Sequence, residues 1–155
     1  MNKNTILVSG AVVFDEKIDK CLFLLVGQTS DGSWEFPKVI VRKGESSVRA
    51  SLRLMGEKGG MSTTVLEEVG RSGGVVTING KTIPQRHIYY LMILRSSVIE
   101  VIGFEDILWA EYSLALKKLT SKREKLMLKQ AKQIYKVWKK DKQRRKDWND
   151  EVLNV

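Results

Sequence analysis

The order of apolar and polar positions predicts a chain of strands and helices. Apolar and β-branched residues fill 5–14 and 20–28, and the polar stretch between them is typical of a hairpin. Between 46 and 58 the apolar positions change to a helical spacing, and Gly59-Gly60 ends that helix. Strand patterns return at 62–69, 74–78 and 86–94, and the turn sequence Asn79-Gly80 joins the last two.

The last third of the chain is predicted to be helical. A short amphipathic helix covers 112–118, and Ser121 and Glu124 have the spacing of a capping box that opens a second helix. The apolar seam of this second helix consists of Met127, Ala131, Ile134 and Trp138. Charged residues replace the seam after Trp138. We therefore expect a packed domain over 1–138 and a basic helical extension or tail over 139–155.

The composition excludes several classes of protein. The chain has 155 residues, 43% of them hydrophobic, which is enough for one domain with a buried core. No apolar run approaches the roughly 18 to 20 residues that cross a bilayer, and we expect no signal peptide. One cysteine and one histidine leave neither a disulfide within the chain nor a ligand set for structural zinc. We expect a cytoplasmic protein that does not enter the membrane.

The net charge of +9 is concentrated near the C-terminus. Residues 117–146 hold 14 Lys and Arg against two acids, a net +12, which leaves −3 for the other 125 residues. Three interpretations stay open: a solvated helix face, a surface that binds RNA or another polyanion, and, third, a membrane-surface contact. Trp138 and Trp148 bracket the cations, as stacking on bases requires. The polyanion-binding candidates are Lys139, Lys140, Lys142, Arg144 and Arg145.

The residues around the first predicted helix resemble the signature of the Nudix hydrolases. That signature, the Nudix box, is G-x5-E-x7-R-E-U-x-E-E-x-G-U, with U a bulky apolar residue. Glu45 matches its first Glu, Arg53 its Arg, Glu57 the first Glu of the pair and Gly60 its second Gly. The approach through residues 34–38, Trp-Glu-Phe-Pro-Lys, is most similar to the diadenosine tetraphosphate hydrolase branch.

The resemblance covers about residues 5–138 and implies an α/β fold, an α/β/α sandwich around a mixed β-sheet. It also implies a nucleotide or nucleoside polyphosphate ligand and hydrolysis of a diphosphate bond by water. In the family the glutamates of the box helix hold Mg²⁺ or Mn²⁺. Carboxylate oxygens suit these hard cations, which activate water and neutralise developing charge.

Three positions of the box depart from the family pattern. Val39 stands at the first Gly, Leu54 at the Glu after the Arg, and Lys58 at the second Glu of the pair. A cation at Lys58 opposes a divalent metal, so we expect the standard mechanism to be impaired. Glu57 remains the candidate catalytic residue and metal ligand, and the resemblance makes Glu105 a candidate second ligand.

The retained part of the box is structural. The resemblance implies that Glu45 and Arg53 hold the loop against the helix, with Gly60 completing the shape.

Other residues are candidates for contacts with a nucleotide. The phosphate-binding candidates are Lys38, Arg42 and Lys43, although a solvated face explains each of them alone. Tyr89 and Tyr90 point to opposite sides of one predicted strand, so we expect one ring in the core and the other free to stack on a base.

Two hypotheses from different classes follow. The first is a Nudix-fold protein with a degenerate box that binds a nucleotide or RNA and needs no metal. The second is a divergent Nudix hydrolase of nucleoside-diphosphate-linked substrates, such as dinucleoside polyphosphates, that uses Glu57, Mg²⁺ or Mn²⁺, and ligands recruited from loops. The oligomeric state is not specified by either hypothesis.

Overall fold

A mixed β-sheet with helices on both faces organises the chain. The computed structural model describes residues 5–17, 19–28, 31–98 and 103–153. Seven strands of these residues form one sheet: β1 Ile6–Lys17, β2 Lys20–Gln28, β3 Ser33–Glu35, β4 Lys38–Ile40, β5 Met61–Ile78, β6 Lys81–Ser97 and β7 Asp106–Ala110. The helices are α1 Ser47–Glu57, α2 Tyr112–Lys118 and α3 Lys122–Leu153. No helix within the described ranges is long and apolar enough to cross a membrane.

The strand order is β3-β2-β1-β6-β5, with β4 paired to β1 and β7 paired to β2. The central pair β1 and β6 is parallel, and Val12 lies opposite Leu91. Every other strand pair described is antiparallel. β5 and β6 form a long hairpin whose turn places Asn79 and Gly80 at positive φ, as the sequence Asn-Gly favours.

The alternation of side chains along β1 and β6 builds two cores, one on each face of the sheet. On one face, Val12 and Tyr89 pack beneath α2 and α3, against Leu128 and Ala131. On the other face, Ala11, Tyr90 and Met92 pack beneath α1, against Leu54 and Met55. This confirms the predicted α/β/α arrangement around a mixed sheet. Among the described helices, α1 is the one that packs on the second face.

Local predictions differ from the structure in three places. The patterns at 62–69 and 74–78 belong to one strand, β5, which continues through bulges near Val65 and Gly70. Three short strands, β3, β4 and β7, were not predicted, because each has only three to five residues and depends on pairing with another strand. The helix opened by residues 121–124 runs unbroken to Leu153, so the described part of the predicted extension is helical.

Candidate functional site

The first half of the candidate site is a loop fixed to α1 by an ion pair. Glu45 Oε2 accepts a hydrogen bond from Arg53 Nε at 2.8 Å, and Glu45 Oε1 accepts one from Arg53 Nη2 at 3.0 Å. Glu45 also accepts the backbone N–H of Arg42, at 3.1 Å. These bonds, that from Arg53 above all, lower the pKa of Glu45 to about 2. The pair holds the residues before α1 against the second turn of the helix.

The ends of α1 are defined by caps and close backbone contacts. Ser46 caps the N-terminus by accepting the N–H of Arg49 at 3.2 Å. At the other end Lys58 is the C-cap, and Gly60 has φ +59°, a conformation that favours glycine. Gly103 N–H donates to the Lys58 carbonyl at 3.1 Å, and a Cβ on Gly103 would lie 2.4 Å from Lys58 Cα. The loop before β7 therefore packs directly on the end of the box helix.

The three helix positions that carry carboxylates in the family hold different residues in this chain, and these residues have different environments. Leu54 is 1% exposed and belongs to the core between α1 and the sheet. Glu57 is exposed in the last turn of α1, and Lys58 follows it. No cluster of three or more His, Cys, Asp or Glu is placed to hold a metal within the described ranges. A divalent metal does not fit this donor set, because one position is apolar and another carries an ammonium group.

A cleft of about 300 Å³ opens beside the end of α1. It combines apolar surface, including Phe104 and Pro37, with side chains of both charges. The charged residues that line it are Glu35, Lys38, Lys58 and Glu105. The arrangement can hold a small polar ligand between an aromatic ring and two ammonium groups, and the two carboxylates limit how much negative charge it accepts.

No protein-family model and no curated protein matches the sequence. Solved structures do match, across most of the chain. An Ap4A hydrolase from C. elegans superimposes with a TM-score of 0.67 at 22% identity, over 84% of this chain and 98% of that one. The NUDIX domain of Shewanella oneidensis NrtR, complexed with ADP ribose, gives 0.64 at 18% identity, over 86% and 90%. A NUDIX hydrolase from Nitrosomonas europaea gives 0.65 at 18%, over 81% and 87%.

This chain has the Nudix fold. The loop, the helix and the glycine-containing turn that match the Nudix box lie as one continuous segment between β4 and β5.

A buried carboxylate joins the Nudix box approach to α3. Glu124 is 2% exposed, and its Oε1 accepts the N–H of Phe36 at 2.9 Å. Its Oε2 accepts from Lys38 Nζ at 2.9 Å and from the Tyr89 hydroxyl at 2.6 Å. The predicted helix start is confirmed, because α3 begins at Lys122 and the Glu124 backbone N–H donates to Ser121 Oγ at 3.4 Å. The Glu124 carboxylate is engaged by the three donors above. Sequence reasoning missed this network. The one signal for it was that Glu124 is one of only two acids in the basic segment 117–146.

Neither tyrosine of β6 presents an open ring. Tyr89 is fully buried, and Tyr90 is 6% exposed with its hydroxyl hydrogen-bonded to Ser47 Oγ. Burial was expected for one of the two rings, and the structure buries both. The assignment of Tyr89 or Tyr90 as a base-stacking platform is wrong for this structure, because each ring packs in the core on its own face of the sheet.

The three phosphate-binding candidates have different environments. Lys38 is 21% exposed and is engaged by Glu35 and Glu124, both at 2.9 Å, so two carboxylates already offset its charge. Arg42 and Lys43 are exposed in the loop before α1. They do not line the cleft beside Lys58. The structure brings together Lys38, Lys58 and Glu105, and leaves Glu57 outside that lining.

A second polar pair lies at the start of α3. Arg123 Nη1 is 2.8 Å from Nδ1 and 2.9 Å from Nε2 of His87, which is 5% exposed. Burial, then the Arg123 and Lys38 cations, lower the pKa of His87 to about 4. The imidazole is therefore neutral near pH 7 and accepts a hydrogen bond.

The basic extension is a continuation of α3. Residues 139–152 are all exposed. Among the described residues, two of the polyanion-binding candidates approach an acid: Lys139 and Lys142 lie 3.9 and 3.7 Å from Glu16. Trp138 is half-buried against Phe14, with ring centroids 5.6 Å apart, whereas Trp148 is 64% exposed. Within the described residues, the ring contact of Trp138 with Phe14 is thus followed by two ion pairs to Glu16, the second of them from Lys142.

Proposed function

We propose that this chain is a Nudix-fold nucleotide-binding protein whose metal-dependent hydrolysis is impaired. The observation that carries the proposal is the fate of the box helix, where Leu54 is part of the core and Lys58 lines the cleft. One structure with this fold is the NrtR NUDIX domain complexed with ADP ribose. A ligand of this class would place an apolar base or ribose against Phe104 and a phosphate near the Lys58 ammonium group.

The test compares turnover with binding on the full chain. Dinucleoside polyphosphates, nucleoside triphosphates and ADP-ribose are incubated with millimolar Mg²⁺ or Mn²⁺, and calorimetry measures their binding in EDTA. We expect binding that survives EDTA and no metal-dependent turnover. Turnover that Glu57→Gln abolishes, while the matched surface variant Glu67→Gln keeps it, would overturn the proposal.

That outcome would instead support the second hypothesis, a divergent hydrolase that uses Mg²⁺ or Mn²⁺. Two observations favour this second hypothesis. Glu105 lines the cleft beside Lys58, and Glu57, the residue before Lys58, is retained. Substrates would be nucleoside-diphosphate-linked compounds such as dinucleoside polyphosphates. Both hypotheses keep the protein in the cytoplasm, in line with its single cysteine.

We also propose that the exposed extension binds a polyanion, RNA in particular. Six cations lie beyond the packed domain, and five of them are the candidates named above. Three of these five approach no acid within the described part of the chain: Lys140, Arg144 and Arg145. Replacement of the five by Gln should weaken RNA binding and flatten its dependence on salt. Unchanged binding would exclude the extension as the contact surface.

A further inference from the structure

A row of lysines follows α3 along the part of the helix that packs on the sheet. The spacings are three, four, three, four and four residues, which at 3.6 residues per turn keeps the side chains within a sector of about 80°. Between the first and the last, the helix rises about 27 Å. We call this row the lysine ridge; it consists of Lys122, Lys125, Lys129, Lys132, Lys136 and Lys140.

The ridge is not neutralised by acids of the chain. Within 122–140 the only acid is Glu124, which is buried and bonded to Phe36, Lys38 and Tyr89. No ridge lysine forms an ion pair with an acid among the residues that the structure describes. Lys132 instead lies over the ring of Tyr112, with Nζ 3.8 Å from the centroid. The row keeps its full positive charge.

Packing holds the ridge straight. The opposite side of the same helix turns is buried against the sheet through Met127, Leu128, Ala131 and Tyr135. A helix held by such contacts stays formed without a ligand, so the cations are in place before binding and little backbone entropy remains to be lost. Like charges three and four residues apart on a helix each oppose folding slightly, and nothing on the ridge offsets this.

We propose that the lysine ridge binds the phosphodiester backbone of a nucleic acid, without reading its sequence. Regularly spaced cations on a straight line suit a stiff polyanion with regularly spaced charges, and counterion release drives such binding. An acidic peptide has irregular charges and must be ordered on binding. A membrane surface needs a continuous apolar face beside the cations. Here the exposed apolar residues flanking the ridge, Leu126 and Val137, are eleven residues and about 16 Å apart.

This inference rests on the polyanion-binding function proposed for the extension and relocates its main contacts. The ridge lies mostly N-terminal to Lys139 and shares only Lys140 with the extension candidates. The ligand would therefore lie along the body of the domain. The extension would add contacts at one end.

The test uses three full-length variants that each lose three cations. Lys125, Lys129 and Lys136 become Gln in the ridge variant; Lys142, Arg144 and Arg145 in the extension variant; and Arg49, Lys81 and Arg86 in the control variant, all exposed or half-exposed positions. Anisotropy of a labelled 20-nucleotide single-stranded RNA and of a 20-base-pair duplex gives Kd over a range of salt. Circular dichroism confirms that each variant is folded.

We expect the ridge variant to lose at least about tenfold in affinity. Its slope of log K against log salt should fall by about 2 to 3, since each phosphate contact contributes roughly 0.9 with duplex and 0.7 with single strands. The probe for which the ridge variant loses more affinity identifies the form of nucleic acid that the ridge prefers. The control variant should change Kd less than about twofold, because long-range attraction alone is screened.

Each other outcome is decisive. If the extension variant loses binding and the ridge variant matches the control, the ridge is overturned and the extension function stands. If the ridge variant alone loses binding, the ridge stands and the extension function fails. If no variant differs from the control, both are overturned. Binding of the full chain to phosphatidylserine vesicles but to neither probe would also refute the ridge.

Discussion

Replacement of Glu124 by Gln tests the buried network that links α3 to the Nudix box approach. The wild-type carboxylate accepts three hydrogen bonds, from the Phe36 N–H, the Lys38 ammonium group and the Tyr89 hydroxyl, while 2% exposed. Gln is nearly isosteric but uncharged. Its amide oxygen can replace one carboxylate oxygen, either the one that accepts from Phe36 or the one that accepts from both Lys38 and Tyr89. Its NH₂ group takes the other place and cannot accept there.

The loss can be estimated from these contacts. Hydrogen bonds to a charged group contribute about 1.5 to 3 kcal/mol each, and breaking a buried ion pair costs about 3 to 5 kcal/mol. Lys38 keeps Glu35 at 2.9 Å and the Phe36 carbonyl at 3.2 Å, and it reaches some solvent, so the lower part of the range applies. We expect Glu124→Gln to lower the free energy of unfolding by about 2 to 4 kcal/mol.

Urea denaturation followed by circular dichroism measures this change. Tyr89→Phe is the matched control, because it removes one hydrogen bond and keeps the buried ring, at a cost of about 1 to 2 kcal/mol. The double variant should lose less than the sum of the two, since both changes remove the same bond. If the free energy of unfolding of Glu124→Gln lies within about 0.5 kcal/mol of the wild-type value, the carboxylate does not hold this network together.

Three further predictions concern single residues. His87 is the only histidine, so NMR can follow its titration directly. Its pKa should be about 4 and should rise in Arg123→Ala. Because the folded state resists protonation of His87, the free energy of unfolding should decrease as pH drops from 6.5 towards 4. Glu45 should stabilise the fold above its ordinary pKa of 4.5, and this stabilisation should be lost as pH falls towards 2. In Glu45→Gln, the free energy of unfolding measured by urea denaturation should depend less on pH across that range. Lys58→Glu should tighten Mn²⁺ binding at least about tenfold by calorimetry, since a carboxylate replaces an ammonium group beside Glu57, and unchanged binding would show that Glu57 is no ligand.

The sequence predicted those parts of the fold that local pattern determines. The alternation along β1 and β6 fixes which residues face each core, and the Asn79-Gly80 turn appears as its composition indicates. The match of Glu45 and Arg53 to the Nudix box led to the correct expectation that these two side chains are in contact. It rests on a resemblance, because nothing in their spacing alone says that a loop residue reaches a helix eight residues later.

The rest depends on contacts between distant segments. Glu124 meets the Phe36 N–H across 88 residues, and no periodicity encodes that meeting. The same holds for Gly103 against Lys58, which appears only when the loop before β7 is placed on α1. The two tyrosines show a further limit. Alternation assigns Tyr89 and Tyr90 to opposite faces correctly, but it does not say that helices cover both faces.

Leu54 helps to explain how the segment that matches the Nudix box keeps its shape with an apolar residue at a position that carries a carboxylate in the family. A glutamate there must stay solvated or metal-bound, since an unpaired buried carboxylate is costly. Leu54 instead packs with Met55 and Met61 against the sheet, and full burial of a leucine stabilises a fold by about 1.5 to 3 kcal/mol. The pair between Glu45 and Arg53 holds the loop to α1. The change Leu54→Glu would therefore remove this apolar packing before it could supply a metal ligand.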